Sequence, residues 1–89
     1  MFTVYVLYSV KFNQIYIGYT ADLTNRILSH NKLATKGHTI KYRPWVVVHA
    51  EEYGTKTEAI KRENYLKSTQ GRKLAWKIIR EKFPVSADG

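Results

Sequence analysis

Eighty-nine residues suffice for one small domain and not for two, and a chain of this length buries only about 60% of its unfolded surface. A hydrophobic content of 44%, with seven Tyr, three Phe and two Trp, excludes a disordered polymer, and the lack of cysteine excludes disulfides and thiolate zinc sites. Fifteen Lys and Arg against seven Asp and Glu, a formal charge of +8, point to a polyanionic partner, nucleic acid before a membrane.

No stretch approaches the ~18 apolar residues of a membrane span and no export signal is visible, so a cytoplasmic location is the default expectation. Phe2 to Ser9 alternates and is rich in Val, Tyr and Leu. It reads as a strand with Phe2, Val4, Val6 and Tyr8 on one face and Thr3, Tyr5 and Leu7 on the other. Lys11 to Gln14 interrupts the pattern, with Asn13 suited to a left-handed turn, and Ile15 to Tyr19 resumes as a second strand joined by a hairpin. Gly18 in that strand marks either a strand terminator or a close approach by other atoms.

Thr20 or Asp22 is placed to cap a helix running to Asn31 or Leu33, with Leu23 and Ile27 on its buried stripe. Arg26 and His30, one turn apart, project from the same side and are able to reach one phosphate or one tyrosine hydroxyl; each is also an ordinary surface or structural residue. Ala34 to Arg43 has no period and reads as an exposed basic loop. Its Lys36, Lys41 and Arg43 are suited to tracking a nucleic-acid backbone. Trp45 to Ala50 is a nearly continuous apolar run, expected to be a third strand with little exposure.

Thr55 with Glu58 forms a capping box for a second helix ending near Leu66 or Lys67. Ser68 or Thr69 starts a third, anchored by Leu74, Ile78 and Trp76 or Phe83, which stops before Pro84. Residues 1–83 are thus expected to form one domain, with 84–89 as a short tail. Nine of the fifteen basic residues lie at or beyond Lys56, and Arg72, Lys73, Lys77 and Arg80 are candidate phosphate contacts or simply a solvated face.

On the second helix, Ala59, Ile60 and Leu66 define the inner stripe and Glu63 projects between them, while Lys61 and Arg62 point more outward. An unpaired carboxylate there is costly, so Glu63 calls for a cation. Either an Arg or Lys from another element or a magnesium ion fits, since magnesium keeps waters and needs few protein ligands.

Tyr5, Tyr16-Ile17-Gly18, Arg26, His30 and Glu63 together resemble the GIY-YIG nuclease superfamily, especially small stand-alone members similar to the N-terminal domain of the bacterial excinuclease endonuclease subunit. The second signature is intact, and ten residues separate Tyr5 from Tyr16. The first is altered to Thr3-Val4-Tyr5 but keeps its tyrosine. Thr20-Ala21-Asp22-Leu23, Arg43-Pro44-Trp45 and Lys61-Arg62-Glu63 extend the likeness along nearly the whole chain.

The resemblance implies an α+β fold, a small three-stranded antiparallel sheet flanked by about three helices. It implies hydrolysis of phosphodiester bonds in nucleic acid, DNA before RNA, with Mg2+ or Mn2+ held by Glu63. Arg26 would neutralise developing charge, and Tyr5 or Tyr16 would position or deprotonate the attacking water. His30 would bond a tyrosine or take a proton. A tyrosine with a pKa of about 10 needs neighbouring positive charge for the basic role, so His30 as the base is the alternative. One departure stands out: the family's late polar brace is commonly Asn, none follows Asn64, and Gln70 is the available substitute. A non-catalytic nucleic-acid-binding module is the rival function.

Overall fold

The computed structural model describes residues 1–33, 35 and 37–84; Lys36 and the expected tail beyond Pro84 lie outside the described residues. Three strands, β1 (Phe2–Ser9), β2 (Gln14–Thr20) and β3 (Val46–Tyr53), form an antiparallel sheet in the order β2-β1-β3. Asn13 turns the β1–β2 hairpin at φ 53°, the left-handed conformation that Asn tolerates. Its Oδ1 accepts a hydrogen bond from the Tyr8 hydroxyl at 2.7 Å.

Alternation along β1 feeds two cores. Val4, Val6 and Tyr8, with Ile17 and Val48, pack under the helices α2 (Lys56–Lys67) and α3 (Thr69–Lys82) through Ala59, Leu66, Ala75 and Ile79. Tyr5 and Leu7 point to the other side, where Trp45, Tyr16, Leu23, Ile27 and Tyr42 meet them. The sheet is therefore covered on both faces, α2 and α3 on one, α1 (Leu23–Leu28) and the segment after it on the other.

Several expectations change. The first helix is α-helical only over Leu23–Leu28, capped by Asp22, whose Oδ1 accepts from the Asn25 N–H at 3.2 Å, and it widens into a π-turn over Ser29–Leu33. The basic stretch before the third strand is not wholly an exposed loop, because His38–Tyr42 forms a 3-10 turn that buries Thr39. β3 is an edge strand with Val46 and Val47 exposed, bulged opposite Val6/Leu7 and extended through Glu51 and Glu52 to Tyr53. Trp45, expected in the strand, precedes it, buried and following the cis Arg43–Pro44 peptide.

Both later caps form as expected: Thr55 Oγ1 accepts from the Glu58 N–H at 3.2 Å, and Ser68 Oγ from the Gly71 N–H at 3.3 Å. The buried stripe of α3 is Gly71, Ala75 and Ile79, one step round from the expected Leu74 and Ile78, which with Trp76 and Phe83 are only half-buried. Gly71 opens that stripe because α2 and α3 approach closely at their junction.

Arg62 does not point outward. Its Nε and a terminal nitrogen donate to the two Glu51 carboxylate oxygens at 2.8 and 3.0 Å, and the Tyr53 hydroxyl donates to the same carboxylate at 2.6 Å. His49 Nε2 lies 2.7 Å from Glu51 Oε2. The Arg62 bond, followed by those of Tyr53 and His49, outweighs burial and holds the Glu51 pKa down at about 2 against an ordinary 4.5.

A depressed carboxylate pKa contributes stability that is complete above about pH 4.5 and lost as the pH falls toward 2. With the side chain 21% exposed, solvent screening leaves on the order of 2 kcal/mol. Urea unfolding of Glu51→Gln is expected to show this deficit at neutral pH and little of it near pH 2. An equal deficit at both pH values would remove the ion pair from the account.

Candidate nucleic-acid-cleaving site

The hairpin and the first helix assemble four of the five expected catalytic side chains. Tyr5 and Gly18 are paired across β1 and β2, as are Leu7 and Tyr16, so all four share the α1 side of the sheet. Gly18 is a position of close approach: a Cβ there would stand 2.6 Å from the Tyr5 hydroxyl oxygen and 2.9 Å from its Cζ. The hydroxyl end of the phenol thus lies against Gly18 of the edge strand, and Tyr16 stacks beside the ring with centroids 6.3 Å apart.

The Tyr5 hydroxyl and His30 Nε2 are 3.2 Å apart, and the His30 ring leans on Tyr16 at 4.8 Å between centroids. Arg26, exposed on α1, turns its guanidinium toward the hydroxyls of both tyrosines. Two clefts flank it. One is lined by Tyr16, Arg26, Ser29, His30, His38 and Thr39, the other by Thr20, Asp22, Asn25, Arg26, Ser29 and Leu33.

The electrostatics separate the roles of these groups. Burial raises the Tyr5 pKa above its ordinary value despite the opposing pull of Arg26, with Tyr16 and Glu63 adding to the rise, so Tyr5 is a neutral phenol at physiological pH. Burial lowers the His30 pKa, and the positive charges of Arg26 and Arg43 lower it further, so His30 is a neutral imidazole. Tyr5 is wholly buried, whereas Tyr16 is half-buried in the cleft wall. Of the two tyrosines, Tyr16 is the one that a molecule in the cleft can touch.

Glu63 comes from the opposite side of the sheet, on α2, which lies over β1 and β2. Its side chain is 14% exposed and its carboxylate acts electrostatically on Tyr5, but it lines neither cleft beside Arg26. Its ion-pair partner is not from another element: Lys67 Nζ, one turn on in α2, lies 3.6 Å away. The contact is long and its Lys67 end is half exposed, so it is weak and leaves the carboxylate available to a stronger cation.

Among the described residues no three His, Asp or Glu side chains gather as metal ligands. A lone, weakly paired carboxylate fits magnesium or manganese completed by water and phosphate oxygens better than a metal wanting several protein ligands.

The segment behind the cluster was not legible as part of the site. Asn31 grips the backbone of Trp45 twice, donating from Nδ2 to its carbonyl at 3.0 Å and accepting from its N–H at 2.6 Å. Arg43 donates to the carbonyls of His30 and Ser29, which the π-turn leaves available. Thr39 meets His30 Nδ1 through its hydroxyl at 3.0 Å and accepts from Trp45 Nε1 through its carbonyl at 2.8 Å. The π-turn replaces the end of what the sequence pattern shows as one continuous helix, and turns of this kind are frequent at functional sites.

The expected nucleic-acid contacts divide. Lys41 is exposed on the 38–42 turn beside the Thr39 cleft, and Arg72, Lys73 and Lys77 are exposed on α3, on the other side of the sheet from Arg26. Arg80 is half-buried, over the Trp76 ring at 5.0 Å and 3.3 Å from Asn13 Oδ1. Gln70 sits exposed in the first turn of α3.

A three-stranded antiparallel sheet carrying two tyrosines, set against an arginine of the next helix and a histidine of the π-turn after it, defines a small α+β domain with a polar cluster on one face. Residues 1–77 match the family described as the GIY-YIG catalytic domain, and the chain belongs to that family, which is one of nucleases acting on nucleic acid. A UPF0213 protein of Staphylococcus epidermidis is 39% identical over 77 residues, 84% of this chain and 93% of the relative. One of Staphylococcus haemolyticus is 38% identical over 72 residues, covering 81% and 87%. One of Bacillus velezensis is 39% identical over 70 residues, covering 79% and 70%. Nucleases of the family generally use divalent metal ions, and among the described residues no helix is long and apolar enough to cross a membrane.

Proposed function

We propose that the protein is a divalent-metal-dependent endonuclease that hydrolyses phosphodiester bonds, acting on DNA in preference to RNA, in the cytoplasm. The observation that carries this reading is the placement of Arg26 between two open clefts with the hydroxyls of Tyr5 and Tyr16 at its back. A phosphodiester bridging those clefts puts its charge on the Arg26 fork, which donates to two phosphate oxygens at once.

Tyr16, reachable from the cleft, holds the attacking water through its hydroxyl. Tyr5, kept neutral by burial, holds His30 and backs Arg26 rather than taking the water's proton. His30 fixes the rings of both tyrosines. Glu63 would hold Mg2+ or Mn2+, which when bound would supply positive charge for the phosphate and the leaving oxygen. Lys41 and the cations of α3 add sequence-independent affinity, the α3 group for a more distant part of the duplex than the one cut.

The position of Glu63 outside both clefts favours, as a second reading, a binding module that grips phosphate without cutting it. The two separate in one assay. Purified protein is incubated with single-stranded, duplex and branched DNA and with RNA, with and without Mg2+ or Mn2+. Nicking that requires the metal supports the nuclease; salt-sensitive binding with no cleavage of any substrate supports the module.

A further inference from the structure

Thr39 has no part in the family signatures, yet its hydroxyl is the partner of His30 Nδ1 at 3.0 Å, and it is buried. The consequence follows from where each proton can go. Tyr5 is completely buried, so its hydroxyl proton needs an acceptor. Arg26 faces that hydroxyl with N–H groups only and accepts nothing. His30 Nε2, 3.2 Å away, is the partner that can accept.

If Nε2 accepts, neutral His30 carries its proton on Nδ1 and donates it to Thr39 Oγ1. The other tautomer would leave the Tyr5 hydroxyl proton buried without this acceptor. Among the described residues the other groups facing the imidazole are Tyr16 from β2, Arg26 from α1 and Arg43 beyond the 3-10 turn; the arginines act against a charged ring, and no group of this set competes for the Nδ1 proton.

We infer that Thr39 is a positioning residue of the cleavage site, which locks His30 in the Nδ1–H tautomer so that its Nε2 lone pair holds the Tyr5 hydroxyl. Thr39 is itself fixed from behind, since its carbonyl takes the indole N–H of buried Trp45 at 2.8 Å, and Trp45 is clasped by Asn31 from the same turn as His30. The unit closes on itself, from His30 to Thr39 to Trp45 to Asn31. Its catalytic consequence rests on the nuclease reading above, but the tautomer does not.

The decisive experiment records two-bond proton–nitrogen correlations of the histidine rings in the full-length, 15N-labelled protein near pH 8, where neutral imidazole dominates. His38→Asn and His49→Gln variants assign the remaining ring to His30. The wild type is expected to show a protonated Nδ1 and an unprotonated Nε2, Thr39→Val to shift the ring toward the Nε2–H form, and Thr39→Ser to keep the wild-type pattern.

An Nε2–H ring in the wild type, or an unchanged tautomer in a folded Thr39→Val, overturns the inference. In a cleavage assay Thr39→Val is expected to lose about 10-fold or more, the lower end of the cost of removing a partner that orients a metal-ligating histidine, with Thr39→Ser recovering most of it. A wild type without cleavage would contradict the nuclease reading while leaving the tautomer result standing.

Discussion

Replacing Arg26 by alanine is expected to reduce phosphodiester cleavage by about 10²–10³-fold, the range for deleting a donor aimed at developing charge. Its effect on stability is expected to stay within about 0.5 kcal/mol, because the side chain is exposed and α1 buries nothing through it. Arg26→Lys is expected to restore only part of the rate, since an ammonium is a point charge that cannot meet both hydroxyls and a phosphate with a planar fork.

A second readout needs no substrate. Arg26 is, after burial, the leading cause of the lowered His30 pKa, so Arg26→Ala should let His30 titrate at higher pH than in the wild type. Cleavage at the wild-type rate together with an unmoved His30 titration would remove Arg26 from the site.

The largest stability effect is expected at Gly71. An alanine Cβ there would stand 1.9 Å from the carbonyl oxygen of Tyr65 and 2.5 Å from the Leu66 Cα, both backbone atoms of the last turn of α2. No side-chain rotation relieves a clash with main chain, so the two helices must separate.

Overpacking costs about 1–3 kcal/mol even where side chains can yield, and here we expect at least about 3 kcal/mol. The separation would pull Ala75 and Ile79 off the core shared with Val4 and Val6, and would shift the helix that carries Glu63. Gly71→Ala should therefore lose both melting temperature and activity, and a variant with wild-type stability would show that α2 and α3 are not as closely joined as described.

The parts of the site that obey a local period could be read from the sequence. Period 2 put Tyr5 and Leu7 on one face of β1, and the i, i+4 spacing put Arg26 of α1 and His30 of the following π-turn on one side. Thr55 and Ser68 announced their helices because a cap needs only a hydroxyl and a free N–H a few residues ahead. The indifferent pattern of 34–43 concealed a buried threonine, because a 3-10 turn of five residues is too short to show periodicity.

Arg43 looked like a nucleic-acid contact on charge alone. Its carbonyl partners on the π-turn are 13 and 14 residues away in sequence, a pairing only the fold can create. Glu51 and Arg62 hid for the same reason, 11 residues apart on different elements. Gly71 carried a usable signal, a glycine inside the first turn of a helix, which lowers helix propensity and so asks for a packing reason.

On the proposed function, the Tyr5, Tyr16, Arg26 and His30 cluster and the carboxylate of Glu63 make one metal-dependent site, although they come from opposite sides of the sheet. This claim is tested most directly by measuring Mg2+- or Mn2+-dependent nicking of a branched DNA duplex by the wild type and Glu63→Ala side by side. The wild type should nick only with the metal, and Glu63→Ala should fall about 10³-fold or to background while keeping its fold and its salt-sensitive DNA binding. Nicking by Glu63→Ala at the wild-type rate would contradict the claim.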